Sequence, residues 1–204
     1  MILPKWSKSA TFVTLTTVLG LALCLRPAWH LARRTVLQFR AQNLWQMAKS
    51  KGKPLRQDQP VAWLRSPKGL STLVLLGASQ ENLHKFPAWA KDGALPGEDG
   101  LGMVFGHRDA QFRKLGTLAV GDPLVLETKT GNICYRVSKI QIVARERLHQ
   151  SLMNGRSRVN GLVLITCYPF RFAGPAPQRY LVWLEAIEKT RHPEASLVAK
   201  NEAL

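Results

Sequence analysis

Cysteine is scarce in this 204-residue chain. There are three, Cys24, Cys134 and Cys167, widely spaced and with no Cys-x-x-Cys pair. The odd count excludes a disulfide framework, and the missing pairs argue against a cysteine-built zinc site. Acidic residues are also few, 13 against 29 Lys and Arg, giving a formal charge of +16. None lies in the first forty residues, which carry Lys5, Lys8, Arg26, Arg33, Arg34 and Arg40. Such a surplus suits nucleic acid or an anionic membrane surface. The bases are scattered and not interleaved with aromatics, so nucleic acid is not the expected partner. Internal repeats and low-complexity tracts are absent. What remains, 46% apolar and 21% charged, reads as one globular domain with a terminal appendage.

Charge is missing from Ser9 to Leu25, a seventeen-residue run containing Phe12, Val13, Leu15, Val18, Leu19, Leu21, Leu23 and Leu25. A spanning helix needs roughly 20 apolar residues, with a floor of about 17. Four threonines weaken this run, which resumes past Arg26 with Ala28, Trp29, Leu31 and Ala32. Arg26 can snorkel to an interface, and Trp6 and Trp29 stand where an aromatic belt belongs. A cleaved signal peptide is the competing reading, since Lys5 and Lys8 make a basic leader. No Ala-x-Ala site follows, and Leu21–Cys24 fits a lipoprotein box only if the large Leu23 is tolerated. An uncleaved N-terminal transmembrane helix is therefore expected within residues 1–40. Positive residues flank both sides, and by charge alone Arg26, Arg33 and Arg34 favour a cytoplasmic C-terminal side. The apolar pattern from Leu31 to Ala48 predicts a juxtamembrane helix, broken at Lys51-Gly52-Lys53-Pro54. Residues 41–60 are read as that helix end and a polar linker starting at Lys49.

Short apolar runs follow: Val61–Leu64, Thr72–Leu76, Leu101–Phe105, Leu124–Glu127, Ile133–Val137 continuing to Val143, Leu162–Thr166 and Tyr180–Ile187. Turn pairs such as Pro67-Lys68-Gly69, Asp92-Gly93, Gly121-Asp122-Pro123, Asn154-Gly155 and Asn160-Gly161 separate them. Seven or eight strands so punctuated predict a mainly β domain, a barrel or sandwich, over residues 61–189. Helical patches fit Gln80–Phe86 and Asp109–Leu118, with Asp109 as N-cap. Residues 190–204 read as a loose tail.

Three strand ends carry chemistry. Cys134 is mid-strand and reads as inert packing, whereas Cys167 ends its run just before Tyr168-Pro169, at a rim where sites are built. His107 follows Phe105-Gly106, and the glycine permits close approach of another group. His30, His84, His149 and His192 have bland surroundings. Arg179 heads the run Tyr180–Leu184, with Arg171 as its local rival. A thiol, an imidazole and a guanidinium suffice to attack a carbonyl and stabilise the oxyanion. Residue by residue this says only "cysteine enzyme".

Taken together, these motifs resemble the sortase family. Its Thr-Leu-x-Thr-Cys hallmark, followed by arginine about a dozen residues on, is matched by Leu162–Cys167 and Arg179, with Val163 where threonine is usual. Gly106-His107-Arg108-Asp109 with Phe112, then Leu115, Gly121-Asp122 and the hairpin Gly131–Val137, resemble the family too. Pro96-Gly97-Glu98, Pro169-Phe170, Gly174, Ala176-Pro177 and Arg179-Tyr180 resemble the proteobacterial and class D groups. The resemblance implies an eight-stranded β-barrel with short helices, a single-pass anchor in the bacterial inner membrane, and a catalytic domain facing the periplasm or outside. It implies that Cys167 attacks a C-terminal sorting signal resembling Leu-Pro-x-Thr-Gly, giving a thioacyl enzyme, and that His107 protonates the leaving amine. Arg179 then stabilises the oxyanion with the Tyr168 N–H, Thr166 positions substrate or thiol, and an amine acceptor resolves the intermediate. The loop Val143–Gly161 is the expected groove wall. No acidic cluster resembles the calcium site of some sortases, so neither metal nor cofactor is expected. The alternatives are an envelope cysteine hydrolase using water, a non-catalytic envelope-binding module and a basic nucleic-acid binder.

Overall fold

Strands β1 (Pro60–Arg65), β2 (Ser71–Leu76), β3 (Ala88–Trp89), β4 (Leu101–Phe105), β5 (Pro123–Thr128), β6 (Gly131–Ala144), β7 (Gly161–Tyr168) and β8 (Gln178–Thr190) build the domain. They close into one barrel in the order β1-β2-β3-β4-β7-β8-β6-β5. The structure, a computed structural model, describes residues 8–50, 56–155 and 161–190; the expected tail beyond Thr190 and residues 51–55 of the expected linker lie outside these. Closure settles the choice between barrel and sandwich. The two-residue β3 escaped the sequence reading because a strand so short has no period.

The chain divides into two units, Met1–Gln42 and Asn43–Leu204. Helix α1 (Lys8–Ser50) is 43 residues long, and the unit boundary falls inside it. Near its start Thr16 Oγ1 donates to the Val13 carbonyl at 2.9 Å, and Thr17 Oγ1 donates to Val13 and Thr14 carbonyls. Among the described residues no helix is long and apolar enough to cross a membrane. The helix runs through Lys49 to Ser50, so the linker does not begin at Lys49 as the composition suggested. Tertiary contact explains this. Trp45, 1% exposed, donates its indole N–H to Glu127 Oε1 at 3.0 Å, and Lys49 Nζ bonds the same oxygen at 2.9 Å. Burying one indole stabilises by about 3 kcal/mol, enough to hold a polar helix end on β5.

Strand composition follows burial. β5 and β6 alternate between buried and wetter positions, as expected where one face meets the core and the other water. β7 is buried from Gly161 to Thr166 without alternation because both its faces are covered. Leu162 and Leu164 join the barrel interior with Val104, Leu124, Leu126, Val182 and Leu184. Val163 and Ile165 belong to a separate outer cluster with Met103, Leu181 and Trp183. Leu152 of helix α3 (Leu148–Gly155) joins that cluster, with Leu148 packed against it. The expected turn at Asn154-Gly155 is instead the last turn of α3, where a Cβ at Gly155 would lie 2.2 Å from the Trp183 ring. Val163, fully buried among apolar side chains, accounts for the missing threonine hydroxyl without needing a partner.

The patch from Asp109 to Leu118 is not an α-helix capped by Asp109. It is a turn followed by a 3-10 segment, Arg113–Thr117, whose N-cap position is Phe112 with no side-chain cap bond. Burial of Phe112, Leu115 and Leu118 in the barrel interior sets this turn, and it outweighs the capping preference of Asp109.

Candidate active site

The strand register places the three predicted residues at one rim. β4 and β7 run parallel with Phe105 opposite Ile165, and β7 and β8 run antiparallel with Cys167 opposite Arg179. The carboxyl ends of β4 and β7 and the amino end of β8 therefore meet at one end of the barrel. The β4–β7 ladder continues one step further, through the Gly106 N–H to the Ile165 carbonyl at 3.1 Å.

They also share one face. Residues directly opposed on paired strands project to the same side, and alternate residues along a strand do likewise. Cys167 thus lies on the side of Ile165 and Val163, and Arg179 on that of Leu181 and Trp183, the outer cluster. Phe105 packs there too, and alternation puts His107 on its side. Gly106 points the other way: a Cβ there would fall 2.7 Å from the Phe112 ring inside the barrel. This is the close approach that the glycine was expected to permit. All three groups are half-buried. His107 Nε2 is buried with no hydrogen-bond partner.

Arg179 Nη1 donates to the carbonyls of Ala176 at 3.0 Å and Gln178 at 2.9 Å, which orients the guanidinium. Its rival Arg171 is exposed in the loop between β7 and β8. Thr166 faces away from Cys167. Its hydroxyl, on a residue 2% exposed, donates to the Gly106 carbonyl at 2.7 Å. It ties the histidine-bearing segment to the cysteine-bearing strand, a different task from touching substrate. The Tyr168 side chain likewise lies on the inner face, stacked on Tyr180 at 5.8 Å and meeting Phe170 edge-on. Burial pushes the Tyr180 hydroxyl up, and Tyr168 beside it adds to the shift.

Two neighbours were given no role of their own by the sequence reading. His84, set aside as bland, lies with its ring 5.8 Å from that of His107. It rides on helix α2 (Gln80–Lys85), which Asn82 fixes by donating to Asp58 Oδ1 at 2.7 Å and to the Gly77 carbonyl at 2.8 Å. Arg108 donates through Nη2 to the Phe172 carbonyl at 2.7 Å. The only hint in the sequence was its place beside His107. Among the described residues no three His, Cys, Asp or Glu side chains are grouped to hold a metal. A cavity of about 300 Å³ lies at the other end of the barrel, lined by Trp89, Glu98, Tyr135 and Gly161, away from Cys167.

Residues 67–187 match the family model of the sortase domain, more than half of the chain. The chain belongs to the sortase family. Sortase D of Bacillus subtilis is 34% identical over 110 residues, 54% of this chain and 54% of that protein, so the match spans about half the relative's length. The solved catalytic domain of B. anthracis SrtD is 28% identical with a TM-score of 0.57, over 70% of this chain and 97% of that one. Sortase D5 of Clostridium perfringens, described as a transpeptidase, shares the fold at a TM-score of 0.58 and 21% identity, over 70% of this chain and 88% of that one. Class D character is consistent with these matches. Within this sortase-family barrel the candidate residues His107, Cys167 and Arg179, at the ends of β4, β7 and β8, all lie inside the matched segment.

Proposed function

We propose that the chain is a cysteine transpeptidase that cleaves a C-terminal sorting signal resembling Leu-Pro-x-Thr-Gly and transfers the acyl part to an amine. The observation carrying this reading is the placement of His107, Cys167 and Arg179 on one outer face at one rim. As thiolate, Cys167 attacks the scissile carbonyl, forming a tetrahedral oxyanion. Arg179 donates to that oxygen, with the Tyr168 N–H as second donor. Collapse expels the amine, which takes a proton from the His107 imidazolium and leaves a thioester on Cys167. An incoming amine attacks the thioester, His107 takes its proton back, and a new amide departs. The spare Nε2 of His107 supports this role, because a proton carrier needs a nitrogen not committed to the fold. Thr166 positions His107 through its hydrogen bond to the Gly106 carbonyl. Helix α3, with Leu148 and Leu152 on the outer cluster, is the part of the expected groove wall that falls within the described residues.

The same reading makes α1 the anchor of a single-pass inner-membrane protein whose barrel faces the periplasm or outside. Its support is the uncharged run Ser9–Leu25, in which the Thr16 and Thr17 hydroxyls are bonded back to helix carbonyls and so cost less in lipid. Two measurements test the proposal. A labelled Leu-Pro-x-Thr-Gly peptide incubated with the chain and a glycine-based amine should give a new amide and a trapped mass increase on the Cys167 peptide. Release of free acid alone, whatever the amine concentration, would make it a hydrolase instead. Membrane fractionation of the full chain against one starting after Arg40 should show sedimentation only for the former.

A further inference from the structure

Nine residues, Pro169–Pro177, connect the candidate nucleophile's strand to Arg179. Every second carbonyl along the later part of this path, Phe172, Gly174, Ala176 and Gln178, accepts from an arginine. The last two bonds come from Arg179 itself. The first two come from Arg108 Nη2, at 2.7 and 3.3 Å, and the Arg108 guanidinium also lies over the Phe172 ring, 5.7 Å from its centroid. Arg108 is the residue after His107 and lies 64 positions from Phe172 in sequence. Elsewhere the loop is held by Phe170 against Gly116 and by the Arg145 N–H on the Pro177 carbonyl. Arg171 and Phe172, at its outer bend, are exposed.

We propose that Arg108 is a positioning residue for the transfer reaction, a clamp fixing the β7–β8 loop, and with it Arg179, relative to His107. The proposal rests on the site reading above. Stability alone does not account for the clamp. Arg108 Nη1 is buried with no partner, and an uncompensated buried cationic donor is unfavourable. A guanidinium kept at that cost between the acid and the oxyanion donor is placed for geometry. Planar, forked donors fit two carbonyls and a ring at once, which an ammonium cannot do. Without Arg108, the Phe172–Gly174 bend that leads into Ala176 loses these bonds, and a shift passed on to the Arg179 guanidinium through the Ala176 carbonyl is costly, since displacing a catalytic group by an ångström costs up to about a hundredfold in rate.

The test uses the full chain and the variants Arg108→Ala, Arg108→Lys and Arg108→Gln. Loop order is read by trypsin cleavage after the exposed Arg171, and catalysis by kcat and KM for peptide transfer. Arg108→Ala should be nicked at least about fivefold faster, since cleavage follows the open population. Its kcat should fall about tenfold or more with KM changed less than about threefold, because the loss lies in the transition state. Its melting temperature should stay within about 3 °C of the parent. Lysine and glutamine should fall between alanine and arginine in both readouts, and they carry the test if alanine does not fold. Unchanged nicking with unchanged kcat would overturn the clamp, as would a loss of rate that tracks the folded fraction. If the parent transfers nothing, the transpeptidase reading fails, and faster nicking of Arg108→Ala still establishes the loop contact separately.

Discussion

Around Glu127 the polar groups use one another up: Trp45, Lys49 and Arg65 all donate to its two oxygens, at 3.0, 2.9 and 3.3 Å. Around His107 they do not. Its Nε2 and the Nη1 of neighbouring Arg108 are buried without partners, while Cys167 sits half-buried nearby at a strand end. Both clusters are assembled from residues far apart in sequence, and both lie on the same closed sheet. The difference lies in spare capacity. A cluster that exists to hold the fold leaves few polar groups unpaired, whereas one that must receive a ligand keeps donors and acceptors open. On the proposed reading, open donors and acceptors at the rim of β4, β7 and β8 are what a site that must receive a ligand would keep.

Substitutions at the two clusters should therefore separate rate from stability. The largest effect is expected for Cys167→Ala, which should lower transfer by at least about a thousandfold with little change in melting temperature. Cys134→Ala should retain activity; the reverse pattern would move the nucleophile to β6. Arg179→Lys should cost about a hundredfold in kcat, because a point charge cannot bond the Ala176 and Gln178 carbonyls and an oxyanion together. Near-normal turnover in that variant would transfer the role to Arg171. Thr166→Val keeps the shape but strands the Gly106 carbonyl, at a cost of about 1–2 kcal/mol in stability by urea unfolding. Activity should fall severalfold with it, since His107 is the next residue.

Glu127→Gln should show the smallest effect, about 1 kcal/mol or less, with transfer unchanged. Its pH dependence is more telling than its size. Burial by itself would push the Glu127 carboxyl up, but hydrogen bonds from Lys49 and Trp45, with the Lys49 and Arg65 charges, outweigh it and hold the group below its ordinary value. A depressed carboxyl stabilises the fold above its unfolded value of about 4.3 and loses that contribution as pH falls through the folded one. The stability gap between parent and Glu127→Gln should accordingly be full at neutral pH and close in acid. A gap that widened below pH 4 would contradict this account of the cluster.

Much of the barrel was legible because strand ends are local events. A proline after Tyr168, a glycine before His107 and a charged start to β8 mark where ladders stop, and those stops carry the candidate residues. The unbroken apolar run of β7 signalled burial on both sides. Less could be read of the faces. Thr166 and Cys167 are adjacent, yet one secures the backbone inside and the other opens outward, and only the register with β4 and β8 decides which. His84 was set aside, and Arg108 was noted only as part of a motif with no role of its own, because their partners, His107 and Phe172, come from other elements and no spacing rule joins them. Asp109 misled because a local cap preference is worth less than burying Phe112.

The parallel pairing of β4 with β7 also has a consequence for how this protein comes into being. The proposed acid, His107, and the proposed nucleophile, Cys167, come from segments sixty positions apart, and the second is synthesised long after the first. Nothing short-range joins them, and pairings of such separation form late, once loop-closure entropy has been overcome. A nascent or partly unravelled chain would thus carry the Cys167 thiol without the His107 ring that the proposed mechanism pairs with it. On the proposed reading, reactivity would arrive only as the cylinder shuts.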